Sequence, residues 1–177
     1  MAKWTIDPAH SVAAFSVRHM TVANVRGQFN NIAGTIEMDE AAPERSSVTA
    51  EIEVASITTG IRKRDDHLLS ADFFDAAKYP KITFKSTKIE PAGSNGARIS
   101  GDLTIHGITR PVIMEAEYFG PVKSPEDLGG ETTIGFSAYL TIDRQDFDVK
   151  WNVPIEAGLM VGNDVKINLD IEADLAE

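Results

Sequence analysis

The chain has 177 residues, no cysteine and a formal net charge of −10. Its hydrophobic residues (42%) and charged residues (25%) are typical of a soluble globular protein, and its length fits one domain spanning residues 1–177. The negative charge argues against nucleic acid and anionic membrane surfaces as partners, and the lack of cysteine excludes disulfides, thiolate nucleophiles and cysteine-based zinc sites.

The N-terminal sequence bears on localisation. MAKWTIDPAHS lacks the apolar core of a signal peptide, and no run approaches the ~18 apolar residues of a membrane span. We therefore expect a cytoplasmic protein without stable membrane insertion. A chain already trimmed of its signal peptide would begin in the same way and would be secreted or periplasmic.

Most of the chain shows the period-two alternation of strands that have one apolar face. In VRGQFNNIAGTIEMD the apolar phase moves from odd to even positions, which predicts a bulge or bend near Asn30 and Asn31. The later alternating runs are VTAEIEVAS, ARISGDLTIHG, VIMEAEYFG, TTIGFSAYLTID and VKINLDIEADL. Turn-forming stretches separate them, and the longest, GPVKSPEDLGG, is predicted to be a hairpin loop.

Helical signal is confined to residues 62–78 and a turn at 143–146. The segment RKRDDHLLSADFF, residues 62–74, has the residue types of a metal or catalytic site, but its pattern favours a structural role. Asp65 and Asp66 suit the positive end of a short helix. An apolar face is supplied by Leu68, Leu69, Phe73 and Phe74. We interpret the segment as a plug or crossover laid against one end of a barrel.

The number and length of the strands predict the fold class. About eight long, mostly antiparallel strands with one apolar face must hide that face, and their length favours a closed barrel over a sandwich. The expected fold is therefore all-β, a single antiparallel β-barrel with one short helical crossover. Small residues on the inner face predict a lumen with room for one small ligand. These residues are Ala50, Ala97, Gly101, Ala116 and Ala138.

The chemistry-bearing residues form no recognisable catalytic or metal motif. The four histidines have no partner at a metal-ligand spacing, and no nucleophile elbow, phosphate loop or dinucleotide fingerprint is present. We therefore expect no catalytic residues, no metal and no cofactor other than a bound ligand.

Four segments, in order, resemble the signature segments of the YceI-like family: WTIDPAHSVAAFSVRHM, DDHLLSADFFDAAKYPKITF, GDLTIHGITRPV and IDRQDF. The resemblance runs from Trp4 to about Leu175. It implies a lipocalin-like barrel that binds a long-chain polyisoprenoid, an isoprenoid quinone or a related amphiphilic lipid in an elongated pore. It also implies a homodimer. Where relatives usually carry Gly after the Asp-Phe of the last segment, this chain has Asp148, which would be strained in a turn needing positive φ.

The resulting hypothesis is a non-catalytic carrier or store for such a lipid. The residues expected to contact the lipid are Phe15, Val17, Phe29, Ile36, Ile52, Phe84, Leu103, Ile105, Met114, Ala116, Phe136, Ala138 and Leu140. The candidates for contacting its head group are His19, Asp66, His67 and His106. Two alternatives stay open: an enzyme that acts on such a lipid with a histidine and an acid at the pore mouth, and a protein-interaction or stress module whose barrel is packed solid.

The segment WNVPIEAGLMVGN, residues 151–163, interrupts the alternation and is rich in apolar residues. Glycines at 158 and 162 give it flexibility. It is expected to be either a lid at the pore mouth or a subunit contact. With the family's implied dimer, we expect a homodimer in which this segment lies near the mouth.

Overall fold

The protein is described by a computed structural model that covers residues 1–176. The strands within this range are β1 (Ala2–Ile6), β2 (Val12–His19), β3 (Ala23–Phe29), β4 (Ile32–Met38), β5 (Ser47–Glu53), β6 (Ile57–Thr58), β7 (Lys81–Ala92), β8 (Gly96–Ile105), β9 (Ile108–Lys123), β10 (Thr132–Asp143), β11 (Pro154–Ile155), β12 (Gly158–Leu159) and β13 (Val161–Leu175). The α-helix is α1 (Arg62–Leu69), and short 3-10 turns span Pro43–Arg45, Val54–Ser56, Glu126–Leu128 and Arg144–Phe147. Over residues 1–176, no helix is long and apolar enough to cross a membrane.

The main sheet closes on itself. Its strands follow the order β1-β4-β5-β7-β8-β9-β10-β13, and β13 pairs back to β1, which gives a closed eight-stranded antiparallel barrel. The predicted fold class is confirmed. The long strand β13 carries the closure: it pairs with β10 on one side and with β1 and then β2 on the other. The hairpin predicted at GPVKSPEDLGG joins β9 to β10.

Three neighbouring strands of the barrel are each broken in two. The first of these strands consists of β1 and β2, which both pair with β13. The second consists of β4, which pairs with β1, and β3, which pairs with β2. The third consists of β5, which pairs with β4, and β6, which pairs with β3. The bend predicted at Asn30 and Asn31 is confirmed as the break between β3 and β4. Ser56 secures it, because its Oγ accepts hydrogen bonds from the backbone N–H groups of both asparagines at 3.1 Å.

The α-helix is shorter than the helical segment predicted for residues 62–78. It ends at Leu69, where the Ser70 hydroxyl donates a 2.6 Å hydrogen bond to the carbonyl of His67. The remaining residues form turns, with Asp75 in the left-handed region (φ 47°). Ser and Asp satisfy backbone groups locally and so favour turns over a continued helix, which explains the difference.

The departure at Asp148 has the predicted backbone consequence. Asp148 follows the 3-10 turn Arg144–Phe147 and adopts φ 59°, a left-handed conformation that Gly takes freely and Asp better than most other residues. Its carboxylate lies 2.8 Å from Lys150 Nζ on the surface. The segment after it forms a small hairpin from β11 and β12 before the chain enters β13.

Candidate functional site

A cavity of about 900 Å³ occupies the barrel interior. Every residue predicted to contact a lipid, from Phe15 on β2 to Leu140 on β10, lines this cavity. The period-two alternation places them there, because alternate side chains of each strand share the inner face. The barrel is therefore not packed solid, although contact between these side chains and a ligand stays a prediction.

Small side chains leave part of the space open. Ala97, Ala116 and Ala138 form a row across three strands, since Ala116 pairs with Ala97 on one side and with Ala138 on the other. All three line the cavity. Gly101 has a different role from the one expected: a Cβ there would collide with the ring of Phe84, so the missing side chain makes room for that ring instead of for a ligand.

The cavity has two chemically different ends. We call the end covered by α1 the proximal end; its polar lining residues are Arg18, His19, Arg64, His67 and Arg144. The opposite end, which we call the distal end, is formed by the β4–β5 loop, the β7–β8 hairpin and the region of Gly120; its charged lining residues are Asp39 and Glu40. The two ends thus carry basic and acidic residues respectively.

His67 joins α1 to the segment 151–163 over the proximal end. Its ring lies edge-on to Trp151 at 4.9 Å and to Phe73 at 5.1 Å, measured between ring centroids. Its Nε2 lies 2.8 Å from Asp72 Oδ2, which orients the imidazole. The predicted plug therefore lies where expected, held by aromatic contacts and one polar pair.

Arg144 is the main electrostatic feature of the proximal end. It is 5% exposed, and its guanidinium donates to the backbone carbonyls of Val149 (2.6 Å), Trp151 (3.0 Å), Val161 (3.3 Å) and Gly162 (2.8 Å). These bonds use four of the five N–H groups of a guanidinium. Within residues 1–176 no carboxylate lies at ion-pair distance from it, and burial lowers its pKa.

The structure separates the four head-group candidates into two pairs. His19 and His67 line the proximal end of the cavity, whereas Asp66 and His106 do not line it. Asp66 is exposed, because residues 64, 67 and 68 form the inner face of α1 at helical spacing and position 66 lies outside it. His106 lies in the β8–β9 turn and packs on Tyr79 at 4.7 Å.

Sequence reasoning missed the three arginines at the proximal end. Arg144 is part of the IDRQDF segment, but a single arginine after a strand usually lies in solvent, and nothing in the sequence indicated its burial. Arg64 lies in the predicted helix, but the sequence does not indicate towards which side its guanidinium points. Its side chain turns back to Thr59, to which Nε donates at 2.7 Å.

The segment 151–163 lies at the proximal end. Trp151, Met160 and Val161 line the cavity, while Val153 and Leu159 are exposed. The backbone N–H of Met20, in the β2–β3 turn, donates to the carbonyl of Met160 at 2.7 Å. The segment therefore lies at one end of the cavity, and its role as a lid at a pore mouth or as a subunit contact stays a prediction.

Comparison with known proteins gives consistent results. The YceI-like domain profile matches residues 4–173. The UPF0312 protein of Pseudomonas savastanoi pv. phaseolicola is 36% identical over 151 residues, which cover 84% of this chain and 77% of that protein. A Campylobacter jejuni YceI protein structure superposes with a TM-score of 0.76 at 32% identity, covering 90% of each chain.

Two further solved structures share the fold. BcnA of Burkholderia cenocepacia has a TM-score of 0.81 at 27% identity, covering 94% of this chain and 98% of that one. A polyisoprenoid binding domain from Saccharophagus degradans has a TM-score of 0.71 at 16% identity, covering 99% and 100%. With a profile match over residues 4–173 and relatives at 36% identity, the chain belongs to the YceI-like family.

Proposed function

We propose that the protein binds a long-chain isoprenoid or a similar amphiphilic lipid in its barrel, as a carrier or store without chemistry of its own. The observation that carries this proposal is the 900 Å³ cavity, whose lining between the two ends is almost entirely apolar. Such a cavity takes an apolar chain from water with a gain of about 25 cal/mol per Å² of buried surface. The S. degradans domain, described as binding polyisoprenoids, has the same fold.

The cavity volume sets the scale of the ligand. If each heavy atom takes roughly the 30 Å³ that a water molecule occupies in the liquid, the cavity holds on the order of 30 heavy atoms. This corresponds to about six isoprene units. A short fatty acid would leave much of the lumen unfilled, so a longer chain gains more from the same pore.

We further propose that the head group of the lipid binds at the proximal end. A buried guanidinium without a carboxylate partner favours an additional oxygen acceptor. One N–H of Arg144 has no carbonyl partner within residues 1–176, and this N–H can donate to an oxygen of the head group. Carbonyl, phosphate and carboxylate oxygens all fit. Arg64 lines the same end and adds positive charge.

Organic extraction of the purified protein followed by mass spectrometry tests the main proposal. We expect a long-chain lipid in about equimolar amount, absent from the extract of an Ala138→Trp variant whose indole occupies the lumen. Conversion of the extracted lipid on incubation with protein would support the enzyme alternative instead. An empty extract, together with no uptake by the delipidated protein, would contradict lipid binding.

The head-group position is tested by comparing two ligands with the same chain, one a plain hydrocarbon and one ending in a ketone. Wild-type protein should prefer the ketone. Arg144→Lys should reduce this preference and leave hydrocarbon binding unchanged, because a lysine ammonium lacks the planar donor fork. Arg64→Lys provides a second variant in case the first fails to fold. If both variants prefer the ketone over the hydrocarbon as strongly as wild-type protein does, this head-group position is contradicted.

A further inference from the structure

The distal end of the cavity meets solvent directly. Several residues that line the cavity there are exposed, including Pro43 after β4, Pro91, Ser94 and Asn95 in the β7–β8 hairpin, and Pro121 on β9. A residue that both lines a cavity and is exposed lies where the cavity reaches the surface. The proximal end differs, because α1 covers it and Arg18 alone among its five polar lining residues is exposed.

The chemistry of this opening suits an apolar chain and disfavours an anionic head group. Proline rings at 43, 91 and 121 provide apolar contact at its edge. Asp39 and Glu40 add negative charge, of which only Asp39 has an ion-pair partner in the described chain, Arg45. Farther inside, Tyr118 packs against Phe136 at 5.4 Å, and burial together with the charge of Glu40 raises its pKa.

We propose that the distal opening is an exit for the tail of the lipid, so that chains longer than the cavity bind with their far end outside the barrel. This inference rests on the proposed function. The head group is held at the basic proximal end, the middle of the chain fills the lumen, and any excess length passes between the β4–β5 loop and the β7–β8 hairpin. The protein then sets a minimum useful chain length and no maximum.

A chain-length series tests the exit. The probes are prenyl alcohols and straight-chain alcohols, delivered from cyclodextrin, whose lengths range from well below to well above about 30 heavy atoms. Affinity should rise about fourfold for each methylene that enters the lumen, as expected for burial of one such group, and then stay constant. A steep fall in affinity beyond the length of the lumen would show a closed end and overturn the inference.

A blocking variant tests the position of the exit. Ser94→Trp places an indole at the edge of the opening, on an exposed hairpin residue, so the substitution should leave the fold of the barrel unchanged. It should bind short chains as wild-type protein does and lose affinity for long ones at least tenfold. The matched control is Asp127→Trp, in the β9–β10 loop and outside the cavity lining. This variant should bind long chains with the same affinity as wild-type protein.

The outcomes distinguish this inference from the proposed function. Absence of binding at every chain length would contradict the proposed function itself. Constant affinity for long chains that Ser94→Trp leaves unchanged would place the exit elsewhere and overturn the assignment to the distal loops. Loss of long-chain affinity in both tryptophan variants would contradict it as well, because Asp127 lies outside the opening.

Discussion

Ala116 and Ala138 face each other directly across β9 and β10, and both line the cavity. In a solid core, enlarging either one to Trp would overpack the interior and cost about 1–3 kcal/mol of stability. Here the indole has open space beside it. We therefore expect Ala116→Trp and Ala138→Trp to change the melting temperature little and to reduce lipid uptake sharply.

Glu117→Gln is the control for these variants. Glu117 is exposed on the outer face next to Ala116, and Gln keeps the oxygen that accepts the 2.9 Å hydrogen bond from Asn95. It should alter neither melting temperature nor uptake. Severe destabilisation by Trp at both alanine positions, in a parent protein that takes up no lipid, would show that the barrel is effectively filled.

His67→Ala should loosen the plug. The substitution removes the edge-on contacts with Phe73 and Trp151 and the pairing with Asp72, which together amount to roughly 1–2 kcal/mol of unfolding free energy. Thermal melting measures this loss. Asp66→Asn, on the exposed side of the same helix, should stay within about 0.5 kcal/mol.

The same His67 variant also bears on the enzyme alternative. A structural histidine can be removed without creating or abolishing turnover. Unchanged stability of His67→Ala, combined with loss of a measurable reaction on the bound lipid, would favour catalysis.

The left-handed conformation at Asp148 predicts an uneven response to substitution. Asp148→Val should cost more than about 1 kcal/mol, since a β-branched residue is strongly disfavoured at φ 59°. Asp148→Gly should change stability by less than about 0.5 kcal/mol, because relief of strain is offset by the greater freedom of Gly in the unfolded chain. Denaturant unfolding compares the three proteins. Equal stability of the Val and Gly variants would contradict the backbone assignment.

Asp7 and His10 predict a pH-dependent contribution to stability. His10 Nδ1 lies 2.6 Å from Asp7 Oδ2, and this hydrogen bond raises the pKa of His10 above 6.5 and lowers the pKa of Asp7 below 3.8. The raised pKa stabilises the fold below pH 6.5, and the gain is lost as pH rises through the folded-state value. The lowered pKa of Asp7 stabilises the fold above pH 3.8, and that gain is lost as pH falls through its folded-state value.

His10→Gln should therefore lower the melting temperature most between pH 3.8 and 6.5. The difference from wild-type protein should shrink in alkaline buffer, where the histidine is neutral in both states. Melting curves across the pH range measure it. A difference that is independent of pH would show that the ion pair contributes nothing and that the ring acts only through packing.

The expected homodimer is tested by sedimentation at micromolar concentration. We expect a dimer that Leu159→Glu dissociates, since Leu159 is 45% exposed on the small hairpin of β11 and β12. Leu128→Glu, on the exposed β9–β10 loop at the opposite end, is the matched control and should stay dimeric. A monomeric wild-type protein would remove the dimer and leave segment 151–163 as a lid candidate.

The fold was predictable because period-two alternation reports directly which side chains share the inner face. The same signal located the lumen-facing residues and the bend at Asn30 and Asn31. It was harder to predict which side chains of α1 face the cavity. His67 lines the cavity and Asp66 does not, and a helix of eight residues has too few turns for its sequence pattern to distinguish the two positions. The burial of Arg144 depends on carbonyls from Val149 to Gly162, a contact set that no local pattern indicates.

The three aligned breaks between β1 and β2, β3 and β4, and β5 and β6 bear on how the chain tolerates changes in length. Inner-facing residues are even-numbered before the first break and odd-numbered after it, as Ile6 and Ala13 show, and the parity changes again between Phe29 and Ile32 and between Val54 and Ile57. Each strand segment thus sets its own alternation. A residue inserted at a break leaves the inward-facing side chains of both flanking segments facing inward. A residue inserted within β3 would instead move the inward-facing side chains of half of that strand to the outer face. Insertions and deletions among relatives should therefore collect at these three positions, and chimeric barrels should be joined there.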